Sequence, residues 1–378
     1  MKQPGWLPLI FVFAFTTLWL DACSAPASVL PTATSFLPTA TLVPPTAIAV
    51  PPTDSPTPAP VIGVDTIPRL SIFKSIGQGD FLRSLAFSPD GTVLASMATD
   101  NEDFAIRLWK VADGFALGRL EGHSANVWGL AFSPNGNILV SVSSDGTAKL
   151  WDWRAGILLK SLDFPGEVVS VAFSPDGQTL AVGGVDESQD EQQNAAVWTF
   201  SVNTGEPLLK FPELLNIPAL AYSPDGSLLV GGGSSRNVQV WRADDGAPVF
   251  TLNHPHQVSS LAISPDGTTV ATGTCETVEG SDCRQGSVWL WDLLTGKLIA
   301  QLTDFPDEVE KVAFSPNGSL LIAGSRGGTL HAYSTSGYLL VFETTEPGGF
   351  GAMALSTDGR MLATGGDNGE VHLWSVEQ

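Results

Sequence analysis

The chain reads as an all-β protein, a seven-bladed β-propeller of four-stranded antiparallel blades. Three observations predict it. A short segment ending in Pro-Asp-Gly or Pro-Asn-Gly recurs, beginning at Ala86, Ala131, Ala172, Ala221, Ala262 and Ala313, with a variant at Ala354. Its second residue forms a column (Phe87, Phe132, Phe173, Tyr222, Ile263, Phe314, Leu355) at spacings of 45, 41, 49, 41, 51 and 41 residues. A 40–50-residue period with strand-like patterning signals a propeller or an array. Third, an aromatic follows each column residue by 19 to 28 positions, at Trp109, Trp151, Trp198, Trp241, Trp291, Tyr333 and Trp374.

Each element has a local reason. The Pro-Asp/Asn-Gly triplet supplies a tight turn whose glycine tolerates positive φ. Apolar residues flank it on both sides, as in Val127 to Phe132 and Ile138 to Val140. The later aromatic closes a third strand. The last copy ends four residues past Trp374 and so holds three strands. A strand-like segment around Arg69 to Lys74 precedes the first copy, so the two termini are expected to share one blade. That exchange covers edges an open ring would expose.

These residues carry a resemblance to the WD-repeat β-propeller family across residues 66 to 378. Trp151-Asp152 and Trp291-Asp292 hold the Trp-Asp pair, and Gly122-His123 the Gly-His pair; the other copies depart at the second position. In blade two the resemblance assigns His123, Ser141, Asp145 and Trp151 to a structural hydrogen-bond tetrad. His254 aligns with His123, in a blade without the aspartate. The family implies a non-catalytic protein-interaction scaffold. A receptor for a small-molecule, peptide or glycan ligand is the alternative, and a propeller hydrolase or lyase a weaker one.

Residues 1 to 22 read as an export signal. Lys2 precedes an uncharged apolar run from Trp6 to Leu20, about 22 Å as a helix against a ~30 Å hydrocarbon core. Leu20-Asp21-Ala22-Cys23 resembles a bacterial lipobox, with Asp21 where a small or apolar residue is usual. The resemblance makes Cys23 a lipidation site; an ordinary thiol beside a general cleavage site is the other reading. Residues 23 to 65 form a Pro/Thr/Ala-rich linker, expected as a disordered spacer. The chain is thus expected at a cell membrane or surface, as a monomer bound to a protein partner.

Composition narrows function further. Lys plus Arg is 18 and Asp plus Glu is 39, a net charge of −21, which argues against nucleic acid. No zinc-protease, serine-hydrolase, phosphate-loop or Cys-x-x-Cys signature occurs, and no catalytic residue, cofactor or metal is expected. His331 and His372, at equivalent third-strand positions, more often mark duplication than a metal site. Three positions before the column aromatics stand Ser84, Gly129, Ser170, Ala219, Ser260, Lys311 and Ala352. One position earlier stand Arg83, Trp128, Val169, Pro218, Ser259, Glu310 and Gly351. Arg83, Trp128 and Glu310 are candidate binding residues near the channel, with Trp128 the candidate anchor. Acid-rich insertions between second and third strands, with Asp103, Asp186, Glu187, Asp190 and Glu191, are expected on the same rim, either attracting a basic partner or serving only as a solvated surface. Cys275 and Cys283 fall in the third such insertion and are a candidate disulfide.

Overall fold

The computed structural model describes residues 60–77, 81–98, 103–187, 194–214, 217–233, 236–279 and 282–377. The predicted signal peptide, Cys23, the linker up to residue 59, Asp190 and Glu191 lie outside them. The chain divides into Met1–Pro45, also outside, and Thr46–Gln378, which carries the fold.

Seven antiparallel four-stranded sheets follow one another. Their innermost strands are Leu82–Phe87, Val127–Phe132, Val168–Phe173, Ala219–Tyr222, Val258–Ile263, Val309–Phe314 and Ala352–Leu355, for blades one to seven. Each packs beside the next, and the seventh returns to the first, so the ring is closed. Blade seven takes its outer strand from the other end of the chain. Leu70–Gly77 pairs with Glu370–Val376 through Leu70↔Val376, Ser71↔Ser375 and Ile72↔Trp374.

The repeated turn works identically in every blade. In blade one, Ser88 Oγ donates to Asp90 Oδ1 (2.6 Å) and accepts from the Val93 N–H (3.0 Å), while Asp90 also accepts from the Thr92 N–H (3.0 Å). Gly91 sits at φ 68°, where a side chain is strained. Asn135 and Asn317 replace the aspartate in blades two and six with the same acceptor role. The recurrent motif is therefore spent on folding. That includes Asn317 of the Asn-x-Ser pattern, whose carbonyl accepts from Ser315 and Ser319.

Apolar burial is distributed between blades. Each of seven clusters joins two neighbours; one combines Val93, Ala95 and Leu108 of blade one with Val127, Leu139 and Trp151 of blade two. No blade hides its faces alone, so the energy of burial depends on ring closure.

Residues 62 to 65, expected as part of the spacer, begin the packed structure. Ile62 and Ile67 are fully buried in the cluster between blades six and seven, with Leu320, Phe350 and Trp374. The Ile62 N–H donates to the Gly359 carbonyl at 2.7 Å. Two isoleucines with an apolar pocket available bury instead of remaining solvated. The expected boundary at residue 65 moves back to about Ile62.

Candidate functional site

In five blades the inner strand carries a bulge at its second residue: Arg83, Trp128, Val169, Ser259 and Glu310 each fall at a register shift. A bulge re-aims its side chain and loosens the ladder locally. The column singled out from the sequence is thus displaced from regular pairing, at the end of the ring where inner strands begin. Loops between second and third strands share that end, because the second strand runs antiparallel to the first.

The structure brings Arg83 and Trp128 together. The Arg83 guanidinium lies 3.9 Å from the Phe81 ring centroid and 4.8 Å from the Trp128 ring. Trp128 is held by an indole N–H bond to Ser144 Oγ (2.6 Å). Phe81 lies over Gly351, where a Cβ would come within 2.9 Å of the ring, so that bulge-column position requires glycine. Phe81 was not anticipated, since it falls in a loop outside both columns.

Glu310 and Lys311 face the same region from blade six. Burial raises the Glu310 carboxyl above its usual range, with Lys311 opposing and Glu308 reinforcing. Burial pushes the Lys311 ammonium down, Glu310 opposing. Lys311 is densely surrounded by protein yet partly open to solvent, as a position lining a channel requires. Arg326 stands 3.8 Å from Glu310. Glu308 accepts from the Ser259 hydroxyl.

Beside this mouth a groove of about 860 Å³ runs over blades four to six, lined among others by Arg236, His256, Val278, Arg284, Glu308 and Arg326. Its wall is a hairpin of blade five that extends far beyond its neighbours, Thr269–Glu279 against Asp282–Asp292. A Cys275–Cys283 disulfide crosses it, with an S–S distance of 2.06 Å. The sequence placed these cysteines in a loop; they lie on continued strands.

Among the described residues, two of the rim acids are paired with cations. Asp103 pairs with Arg107 (3.0 Å) and Arg119 (2.7 Å) on its own blade. Asp186 is buried and paired with Lys210. Asp307 accepts from the Gly327 N–H at 2.8 Å. Glu187 is exposed. Asp103 and Asp186 are thus paired within their own blades.

The blade-two tetrad is fully bonded. The Trp151 indole donates to Ser141 Oγ (2.8 Å), which faces His123 Nε2 (2.7 Å); His123 Nδ1 faces Asp145 Oδ2 (2.8 Å). Burial lowers the His123 pKa, Asp145 opposing. No lone pair or proton of His123 is left over for a ligand. Parts of this network persist where the motif is lost. Trp109 bonds Ser96 and Trp374 bonds Thr364, while Trp291 donates to His254 (3.1 Å), which also meets Thr272. Burial drives the His254 pKa to about 4. The two third-strand histidines have separate partners: His331 meets the Tyr333 hydroxyl at 2.9 Å, and His372 meets Glu346 and Glu370. Among the described residues no group of three or more His, Cys, Asp or Glu is arranged to hold a metal.

Comparison with known proteins agrees with this geometry. The family described as "WD domain, G-beta repeat" matches residues 70–110, 114–152, 156–188, 211–242, 246–292, 296–334 and 341–375. Telomerase protein component 1 of Mus musculus is 27% identical over 58% of this chain and 8% of its own length. Autophagy-related protein 16 of Arabidopsis thaliana is 24% identical over 62% of this chain and 44% of its own. An uncharacterized WD repeat-containing protein of Synechocystis is 33% identical over 43% of each. The matched region thus spans less than half of each of these relatives. With seven family matches laid over seven blades, the chain belongs to the WD-repeat family.

Proposed function

We propose that this chain is an exported, lipid-anchored, non-catalytic platform that binds a protein partner across the channel mouth and its adjoining groove. The carrying observation is the Phe81–Arg83–Trp128 stack. Arginine and tryptophan dominate binding hot spots, and pre-ordered side chains lose little entropy on association. The family and its longer relatives support the reading, because WD-repeat domains usually act as interaction modules. Export and anchoring rest on the apolar run before Cys23 and on the Pro/Thr-rich spacer after it.

The test is crosslinking in cells followed by mass spectrometry, comparing the full chain with Arg83→Glu. A dominant protein adduct that is lost in the variant supports the reading; no adduct, or adducts indifferent to charge reversal, contradicts it. Mass analysis of the mature N-terminus decides the anchor: a diacylglyceryl group on Cys23 supports it, and an unmodified thiol removes it.

A further inference from the structure

Arg83 is held more firmly than it is used. Two rings pack on its guanidinium, Ser144 fixes one and Gly351 seats the other. Yet among the described residues it makes no hydrogen bond and no ion pair, and its Nε is buried without an acceptor. A buried unsatisfied donor is costly to maintain. Lys311, partly open to solvent, likewise has no described acceptor for its ammonium, and Glu310 and Glu308 act on it only through their field. The Arg83 charge lies near enough to help hold the Lys311 ammonium down. In a chain of net charge −21, these two cations meet Glu310, Glu308 and Asp367 through their field alone, which leaves their N–H donors to a ligand.

We propose that Arg83 and Lys311 form a carboxylate-binding site at the channel mouth, which receives an acidic group of the partner. The proposal rests on the platform reading above. A guanidinium packed on rings keeps its N–H edge free in plane, and that planar fork matches a carboxylate bidentately. Lys311 adds a point charge from the adjoining side. A phosphate dianion fits less well, because Glu310, Glu308 and Asp367 place negative charge around the same cations. The carboxylate comes either from an aspartate or glutamate side chain of a protein or from a free organic acid.

The test is calorimetric titration of the full chain in detergent with three probes: a capped tetraglutamate peptide, its tetraglutamine counterpart, and succinate. Tetraglutamate is expected to bind, and tetraglutamine at least about tenfold more weakly. Arg83→Gln and Lys311→Gln should each weaken tetraglutamate by about tenfold or more, as loss of a charge-assisted bond requires. Arg83→Lys should weaken it several-fold through loss of the fork. Lys160→Gln, on the outer strand Ile157–Asp163 of blade two, should change nothing. Succinate binding with the same Arg83 dependence assigns the site to free acids; binding of peptide alone assigns it to a protein. Should Arg83→Gln fail to fold, Lys311→Gln carries the comparison. No heat from either acid, or tetraglutamate binding unchanged in the folded variants, overturns the site. Cellular adducts that survive Arg83→Gln but are lost on Arg83→Glu would sink the carboxylate site and leave the platform. Acid binding without any cellular partner would do the reverse.

Discussion

Removing residues 61–77 takes away the outer strand of blade seven and the segment tucked between blades six and seven. Four large side chains leave the core: Ile62 and Ile67 at 0% exposure, Leu70 at 7% and Ile76 at 6%. At about 1.5–3 kcal/mol each, the lost burial is roughly 6–12 kcal/mol. Native domains hold about 5–15 kcal/mol in total. The backbone ladder to Glu370–Val376 goes as well, and Trp374 and Val376 lose a covering face. The shortened chain should therefore fail to fold cooperatively. Urea denaturation followed by far-ultraviolet circular dichroism and tryptophan fluorescence reads this directly. A broad, early, non-coincident transition is expected, and a synthetic peptide of residues 60–77 added in trans should sharpen it. A transition with the parent's midpoint and slope would refute ring closure by this strand.

Other consequences are smaller and local. Ser141→Ala strands the Trp151 indole and the His123 imidazole in a buried site, and should cost about 2–4 kcal/mol in urea denaturation; a loss below the error of the fit would contradict the tetrad's structural role. The hydrogen bond to buried Glu346 raises the His372 pKa, burial opposes, and Glu370 adds to the rise. This contribution to stability is complete below the unfolded histidine value of about 6.5 and is lost as pH climbs through the raised folded value. The wild-type urea midpoint should fall over that interval, and the His372→Gln midpoint should stay flat; equal slopes would contradict the pairing. Reducing Cys275–Cys283 releases an eight-residue separation, about 2.5 kcal/mol by loop-closure entropy. Because Val278 at the hairpin tip is 53% exposed, that loss should appear as faster proteolysis near the tip with the global midpoint unchanged. Global destabilisation of that size would contradict a local role.

The blades were legible because one strand pattern and one turn recur, and a repeated Ser-Pro-Asp-Gly encodes its own hydrogen bonds. The shared last blade was legible for the same reason, since one copy lacks a strand that another part of the chain supplies. The site was legible only by column. Strand phase placed Arg83, Trp128 and Glu310 at one level, but the bulges that displace them and the ring that Phe81 adds depend on contacts between blades. The pairing of Asp186 was not legible, because Lys210 lies two strands away; Asp103 meets Arg107 four residues on and Arg119 on the next strand. Composition also concealed Ile62: a proline-rich segment resembles a spacer until an apolar pocket exists to receive its last isoleucine.

Asp367 lies in the turn between Met361–Gly365 and Glu370–Val376, and its charge reaches both Arg83 and Glu310. A photo-crosslinking residue at position 367 of the full chain in living cells probes the mouth, and one at position 160 probes the outer face of blade two. A discrete protein adduct from 367, absent from 160 and lost on Arg83→Gln, is the predicted result. Equal labelling from both positions, or adducts from 367 that survive Arg83→Glu, would contradict a partner held at the channel mouth.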